Sequence, residues 1–424
     1  MPPATPPPSP AAPAEGLLAR AQEVLRPALG LYLDLHAHPE PSGAEARTAD
    51  RFAARLVAAG CTVTRGLGGH GVVGVLHNGA GPRVWLRAEL DALPVREETG
   101  LPYASASALM HACGHDLHLA AAAGAADLLG RLADRWRGTL VVVGQPAEET
   151  LTGAAAMLGE GLYERFGRPA AVLAQHAAPL PAGTVAHAPV GVPMTAAGAV
   201  LEVVVHGRGG HAATPHLAVD PVLTAAAVVT RLQAVVARES APAEQVTLTV
   251  GTLRAGTAAN VIPDHAELGI GIRAFDEPAL ERALAAVHRI VRAECAASDA
   301  PRAPDLTVTS RAAPLWCDPA ATAAVRRAHR HLLGAARVLD WPGSPATEDF
   351  PLFGDAGAAG HGHPGVPLVY WMLGTAPPPA PGTDTPPPPN HSPRFAPDIR
   401  RSLRPAIATL TTAALNRFTT PPDR

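Results

Sequence analysis

The densest group of chemically active side chains lies in residues 110–118, MHACGHDLH. These nine positions hold one thiol, Cys113, together with three imidazoles and a carboxylate. Thiolate and imidazole are the donors that zinc and similar divalent ions accept. The alternative is a polar turn that opens the alanine-rich stretch 119–133. The cluster predicts a metal site if further ligands occur elsewhere in the chain.

Further candidate ligands follow apolar runs that are typical of buried strands. Glu148 and Glu149 come after the run 141–144, and His176 comes after the run 172–174. In α/β proteins, binding sites lie beyond the carboxyl ends of the strands, so these side chains are expected to converge. Taken alone, the acidic pair is also compatible with a solvated turn, and His176 with an ordinary surface or core histidine.

A further candidate ligand, His391, lies in the segment 390–393 (NHSP), which precedes a closing helix. Its alternative is a simple capping turn. The donors in question are Cys113, His115, Glu149, His176 and His391. Five donors are enough for two divalent ions, a pair that polarises a carbonyl and activates water. Glu148, which is not needed as a ligand in this set, is then the candidate general base.

The elements that must position these residues alternate between amphipathic helices and short apolar strands, which predicts an α/β fold with a mostly parallel sheet. Near residue 190 the order changes to β-α-β-β-α-β, the pattern of a ferredoxin-like unit. The predicted segments are a disordered proline-rich tail (1–14), the first part of a catalytic domain (15–189), an inserted domain (190–312) and the rest of the catalytic domain (313–424). A second proline-rich stretch, 376–389, is expected to be a surface loop.

Composition excludes several classes of function. The 424 residues carry a formal net charge of -3, and all 34 basic residues are arginine, which argues against nucleic-acid binding or membrane binding driven by net charge. The four scattered cysteines do not indicate a disulfide framework. The N-terminal residues lack the pattern of a signal peptide, and no apolar run reaches the roughly 18 residues of a membrane span. We therefore expect a soluble, cytoplasmic protein.

Across residues 16–417 the chain resembles the M20 metallopeptidases, specifically the amidohydrolase branch with hippurate hydrolases, N-acyl-amino-acid amidohydrolases and plant auxin-conjugate hydrolases. The matching motifs, in order, are 35–40 (LHAHPE), 86–94 (LRAELDALP), 110–118 (MHACGHDLH), 145–149 (QPAEE), 210–215 (GHAATP), 260–263 (NVIP), 347–350 (TEDF) and 390–393 (NHSP). So long an ordered series is highly specific.

The resemblance implies an enzyme that hydrolyses the amide bond of N-acyl amino acids at a site with two metal ions. The residues that match the family's ligands are Cys113, His115, Glu149, His176 and His391. Glu148 matches the catalytic acid/base, and His211 a residue that stabilises the oxyanion. Asn260 and Arg273 match groups that hold the substrate carboxylate, although Arg273 is also compatible with an ordinary exposed strand residue. The inserted domain is expected to act as a lid and as a dimer surface.

Three departures from the branch concern substrate preference more than reaction type. Glu89 stands where Asp is usual, the loop 376–389 is long and rich in proline, and residues 151–153 (LTG) keep only part of the expected glycine-rich turn. The native metal (Zn, Mn, Co or Ni), the acyl group and the oligomeric state stay open. The main alternative function is an M20-type aminopeptidase, carboxypeptidase or dipeptidase, which the CGH form of the 113–115 motif disfavours. A cysteine-nucleophile enzyme using Cys113, or a silent relative that only binds a ligand, accounts for fewer of these residues.

Overall fold

The computed structural model describes residues 16–379 and 386–419, which form two compact units. The first unit comprises the described residues up to Met194, the segment Trp316–Pro342 and the described residues from Asp349 onward. The second comprises Thr195–Leu315 and the short segment Gly343–Glu348. The predicted disordered tail lies outside the described residues, as does the central part of the predicted loop 376–389.

Helices and strands alternate over most of the described chain. The helices are α1 (Leu17–Arg20), α2 (Gln22–Ala37), α3 (Ala46–Ala58), α4 (His115–Arg131), α5 (Gly153–Gly159), α6 (Leu162–Phe166), α7 (Pro221–Ala234), α8 (Glu277–Ala297), α9 (Pro319–Leu333), α10 (Ala358–His361) and α11 (Ile399–Thr419). The strands are β1 (Thr62–Leu67), β2 (Gly71–Asn78), β3 (Arg83–Glu89), β4 (Gly138–Gln145), β5 (Ala171–Pro181), β6 (Val185–His187), β7 (Ala197–His206), β8 (Gly210–His211), β9 (Thr247–Ala255), β10 (Val261–Ile262), β11 (His265–Ala274), β12 (Asp305–Ala312), β13 (Val338–Asp340) and β14 (Leu368–Ala376).

The first unit is built on an eight-stranded sheet in the order β1-β2-β4-β3-β5-β14-β6-β13. The central strands β4, β3, β5 and β14 are parallel, and β1 and β2 pair antiparallel with their neighbours. β6 is antiparallel to β14 and parallel to the edge strand β13. Every residue of β14 is buried, as expected for a strand covered on both faces. The alanine-rich helix α4 is also buried on nearly all sides and packs between α2 and α11. The predicted α/β fold with a mostly parallel sheet is confirmed.

The second unit is a four-stranded antiparallel sheet in the order β12-β7-β11-β9, with α7 and α8 packed against it. Asp220 and Asp276 cap these helices by accepting hydrogen bonds from backbone N–H groups in the first turn, and a proline follows within two residues of each. Their apolar faces meet the strands through residues such as Val228 and Val287. The β-α-β-β-α-β order read from the sequence is the order of this unit.

One helical segment of the described chain, Pro221–Glu239, is long and apolar enough to cross a membrane by length and composition. It consists of α7 and a π-helical extension, Val235–Glu239. Its buried side contributes Ala225, Val228 and Leu232 to the core of the second unit. The segment is therefore explained as a core helix of that unit.

A buried pair of histidines joins β6 to α9 in the first unit. His187 Nε2 lies 3.0 Å from His329 Nδ1, and His329 Nε2 lies 3.1 Å from the carbonyl oxygen of Thr409. Because a carbonyl only accepts, His329 donates from Nε2 and accepts the proton of His187 Nε2. Burial lowers the pKa of His329 from 6.5 to about 4, and burial together with His329 lowers the pKa of His187. Both rings are therefore neutral in the folded protein near pH 7.

We expect the protein to lose stability as the pH falls from about 6.5 towards 4, because the unfolded chain takes up protons that the two folded rings exclude. At pH 5 the contribution of His329 alone is roughly 2 kcal/mol. Urea unfolding at pH 7.5 and pH 5 measures this change. The His329→Gln variant keeps a donor for Thr409 but cannot titrate, so its unfolding free energy should depend less on pH. Equal pH dependence in both proteins would contradict the assignment.

Candidate metal centre

The five predicted metal ligands and the predicted base, Glu148, all belong to the first unit. Cys113 precedes α4, and His115 is the first residue of that helix. Glu148 and Glu149 follow the end of β4, and His176 lies in β5. His391 belongs to the turn before α11. Central parallel strands and the N-terminus of the buried helix therefore carry most of the site.

The backbone between the two proposed ligands Cys113 and His115 requires a glycine at position 114. Gly114 has a φ of 85°, in the left-handed region, and a Cβ atom there would lie 2.8 Å from the Cβ of Ala177. Only glycine satisfies both conditions. Its turn allows Cys113 and His115 to point into the same space although they are two residues apart.

The structure brings the donor atoms within reach of common ions. Cys113 Sγ lies 3.4 Å from His176 Nε2. His115 Nε2 lies 3.8 Å from Glu148 Oε2 and 3.9 Å from Glu149 Oε1. His391 Nε2 lies 3.5 Å from Glu149 Oε2. Two ligands on one tetrahedral zinc ion are separated by about 3.4–3.7 Å. The Cys113–His176 and His391–Glu149 spacings are those of ligand pairs, whereas the two distances from His115 to the carboxylates are slightly longer.

Two buried atoms of the cluster lack the partner that a folded core normally supplies. His115 Nε2 and Glu149 Oε1 are inaccessible to solvent and have no hydrogen-bond partner among the described residues. Buried polar atoms are usually paired, and an ion between these two atoms would satisfy both. The residues present therefore fit a divalent metal.

Burial holds several of these groups in their neutral forms when no cation is present. Burial, followed by the neighbouring charge of Glu149, raises the pKa of the Cys113 thiol to about 12. Burial lowers the pKa of His176 to about 3, which leaves its imidazole free to act as a ligand. A bound divalent cation would reverse the effect on the thiol, because a coordinating thiol loses its proton.

Two residues that the sequence did not single out orient these ligands. His115 Nδ1 lies 2.9 Å from the Asp91 carbonyl oxygen, so its proton points there and Nε2 is left for the metal. The Asp91 carboxylate also accepts a hydrogen bond of 2.9 Å from the Glu149 N–H. Asn390 donates to the carbonyl of Ala177 at 3.0 Å and fixes the turn that carries His391. Asp91 also follows the end of a strand, β3, so the expectation that binding sites lie beyond the carboxyl ends of strands applies to it as well.

The turn after β4 separates the roles of the two adjacent carboxylates. Ala147 has a φ of 49°, and its N–H donates a 2.8 Å hydrogen bond to the buried carboxylate of Glu45. This bent backbone allows both carboxylates to approach His115 Nε2. Glu149 carries the unpartnered oxygen and also approaches His391. This is the geometry expected of a ligand shared with His391.

The residues predicted to contact substrate belong to the second unit, where His211 and Asn260 lie together. β8 pairs with β10, and the Asn260 carbonyl accepts a hydrogen bond of 3.1 Å from the N–H of Ala212. Both residues line a cavity of about 780 Å³, which also contains Arg254 and Thr257. The ring of His211 is exposed.

Arg273 lies at the other end of β11 from this cavity. His265, which begins β11, lines the cavity, and the nine residues from His265 to Arg273 span about 26 Å of strand. The Arg273 side chain donates to the hydroxyl of Thr347 and forms no ion pair with the carboxylates of the described chain. Asn260 and Arg273 of one chain are therefore too far apart to bind the same substrate carboxylate.

Residues 85–386 match peptidase family M20/M25/M40. The chain belongs to this family. An M20 enzyme of this kind is a hydrolase of amide bonds that uses metal, and the confirmed fold agrees with that assignment.

Relatives of this M20 chain include two bacterial proteins of known sequence and one of known structure. A probable hydrolase from Synechocystis is 37% identical over 62% of this chain, which spans 65% of that protein's length. The N-acetyl-L-cysteine deacetylase of Bacillus subtilis is 35% identical over 77% of each chain. The B. subtilis YXEP protein, a dinuclear metal-binding peptidase from the M20 family, has a TM-score of 0.72 and 26% identity, and the match covers 93% of this chain and 98% of that one.

Cys113→Ser should weaken metal binding roughly tenfold or more, since a hydroxyl keeps its proton near neutral pH whereas a coordinating thiol gives it up. Competition with a chelating dye measures the dissociation constant for Zn²⁺. Cys317→Ser is a matched control, because Cys317 is a free cysteine outside the cluster. Unchanged affinity in Cys113→Ser would remove this residue from the site.

Proposed function

We propose that this M20 enzyme cleaves the amide bond of N-acyl amino acids. The observation that carries the proposal is the convergence of Cys113, His115, Glu149, His176 and His391 around buried, unpartnered donor atoms, with Glu148 beside them. When bound, two divalent ions would polarise the scissile carbonyl and activate a water molecule. Zn²⁺ and Mn²⁺ are the metals we propose first, with Co²⁺ and Ni²⁺ as alternatives. The deacetylase among the relatives supports an N-acyl amino acid as the substrate class.

In the proposed mechanism the protein's own side chains move protons and hold charges. Glu148 accepts a proton from the attacking water and returns it to the leaving amine. His211 donates to the oxyanion that develops on the carbonyl oxygen. Arg273 holds the α-carboxylate of the substrate, because its planar guanidinium donates in a fork that matches a carboxylate. Arg273 is available for this role since its contact in the described structure is a neutral hydroxyl.

We also propose that the enzyme is a dimer assembled through the second unit. Asn260 lines the cavity at the start of β11 and Arg273 lies near the end of that strand, so two chains must contribute if both residues act on one substrate. The second unit has surfaces suited to a second copy: β9 is an edge strand, and the outer face of α7 exposes Leu223, which is 70% exposed. Edge strands and exposed apolar residues are common sites of association.

Mixing two inactive variants tests the shared site. In a mixed dimer of Arg273→Ala and Asn260→Ala, one site loses both residues and the other keeps both, so activity should recover to about a quarter of the wild-type value in a statistical mixture. Sedimentation of the wild-type protein gives the assembly state in the same experiment. A monomer, or a mixture as inactive as its components, would refute the shared site.

The substrate proposal is tested with purified protein reconstituted with Zn²⁺ or Mn²⁺. A panel of N-acetyl and N-benzoyl amino acids and of unblocked dipeptides is incubated with the enzyme, and release of free amine is measured. Turnover of the acylated amino acids in preference to the dipeptides is the expected result. Preference for the dipeptides would support the M20 peptidase alternative. The proposed cytoplasmic location is checked by fractionation of the source cells.

A further inference from the structure

Strand β5 loses one of its neighbours just before it reaches the metal centre. β3 pairs with β5 only through Ala174, whereas β14 continues to pair with β5 beyond His176. The backbone of β5 on its β3 side therefore needs another partner near His176. Ala177, the residue after this ligand, is 1% exposed, so water cannot serve. An unsatisfied buried N–H costs about 1–3 kcal/mol.

The missing partner is the imidazole of His118, one turn after His115 in α4. The Ala177 N–H donates a 2.8 Å hydrogen bond to His118 Nε2. Because a backbone N–H only donates, Nε2 carries the lone pair and the ring proton is on Nδ1. His118 Nδ1 lies 2.7 Å from Glu89 Oε2, so it donates there. Both ring nitrogens are thus engaged within the protein, although His118 lies in a cluster with Glu89 and His115 that has the spacing of metal ligands.

The backbone of Ala177 connects this histidine to two proposed metal ligands. Its carbonyl oxygen accepts from His176 Nδ1 at 2.9 Å and from the Asn390 amide at 3.0 Å, and Asn390 precedes His391 in the chain. A movement of Ala177 would therefore displace the donor atom of His176 and the turn that carries His391. The hydrogen bond from the Ala177 N–H to His118 is the contact that holds this stretch of backbone from the α4 side.

Glu89 is itself held firmly, which makes it a fixed support for His118. It is 0% exposed, and it accepts from the guanidinium of Arg87. Arg87 in turn donates 2.8 Å hydrogen bonds to Gln145 and Asp349. This series of hydrogen bonds connects the end of β3, the first turn of α4 and strand β5, through Arg87, Glu89, His118 and Ala177.

We infer that His118, oriented by Glu89, is a positioning residue that fixes the metal ligand His176 through the backbone of Ala177. It contacts neither metal nor substrate itself. The inference rests on the proposed metal centre. It assigns a role to the third histidine of the 110–118 motif and to Glu89, neither of which is among the proposed ligands.

Two substitutions at position 118 separate the two hydrogen bonds of the ring. A glutamine side chain places its amide near the Nε2 position and offers an oxygen to the Ala177 N–H. An asparagine side chain reaches only the Nδ1 position and keeps the Glu89 contact instead. We measure the dissociation constant for Co²⁺, used alone as the probe, by chelator competition on the full-length apoprotein. His118→Gln should stay within about threefold of wild type, whereas His118→Asn should bind about 10–100-fold more weakly.

Each outcome decides a separate question. Equal Co²⁺ affinity in the two variants, or weaker binding by His118→Gln, would overturn the role assigned to the Ala177 bond. Failure of the wild-type protein to bind Co²⁺ would instead refute the proposed metal centre. His329→Asn, which replaces another buried histidine, is the control for general loss of packing and should leave the affinity unchanged.

A measurement on the unmodified apoprotein covers the case in which the variants do not fold. Hydrogen exchange resolved to single residues should show the Ala177 amide protected, although β3 no longer pairs with β5 at that point. Rapid exchange of this amide in the folded protein would overturn the inference without any substitution.

Discussion

Glu148→Ala should retain its metals and lose roughly 10²–10⁴-fold in turnover, whereas Glu149→Ala should lose metal as well as activity. The first expectation follows from the usual contribution of a general acid or base. The second follows from the geometry, since Glu149 has the unpartnered buried oxygen and approaches both His115 and His391. The two side chains are adjacent in sequence and equally charged, so each variant is the control for the other.

Metal content by mass spectrometry and single-turnover rates on an N-acetyl amino acid separate the two effects. Glu148→Gln adds a steric control, because the amide keeps the shape of the side chain but cannot take up the proton. Its rate should be as low as that of Glu148→Ala. If both alanine variants kept their metals and differed little in rate, the assignment of base and ligand would be wrong.

Arg273→Ala should lose about 10²-fold in kcat/KM on an N-acyl amino acid, equivalent to about 3 kcal/mol of transition-state stabilisation. The guanidinium is proposed to hold the substrate carboxylate, and binding energy at this remote group is expressed as orientation of the scissile carbonyl. On the corresponding substrate whose carboxylate is replaced by a neutral amide, the loss should be much smaller, because no charge remains to be held.

The four rates form a double-mutant cycle between the guanidinium and the substrate carboxylate. Arg311→Ala is the matched control: this arginine lies on β12 of the same sheet, pairs with Glu277 and Glu281, and should leave both rates unchanged. Equal losses on the two substrates in Arg273→Ala would mean that Arg273 supports the fold of the second unit and does not read the carboxylate.

The proposed ligands could be named from the sequence because local rules place them. Cys113 and His115 flank a glycine that the turn requires, and Glu149 and His176 lie in or just after long apolar strands of the sheet. Such signals depend on a few neighbouring residues. The inserted β-α-β-β-α-β unit was predictable for the same reason, since each of its elements shows clear periodicity and Asp-capped helices such as α8.

What the sequence did not predict depends on contacts between distant segments. The short edge strand β13 has only three residues and no periodicity to detect. The attachment of Gly343–Glu348 to the second unit has no local signal either. Asn260 and Arg273 were predicted to share one carboxylate, but their separation becomes visible only when β11 is seen as one continuous strand. The hydrogen bond from Ala177 to His118 likewise requires the end of the β3–β5 pairing to be known.

The central claim is that this chain hydrolyses N-acyl amino acids with metal held by Cys113, His115, Glu149, His176 and His391. The most direct test is a titration of chelator-treated apoprotein with Mn²⁺ or Zn²⁺ while amine release from an N-acetyl amino acid is followed. We expect no activity in the apoprotein and a rise that saturates at no more than two equivalents per chain. Full activity in protein shown by elemental analysis to be free of metal would contradict the account.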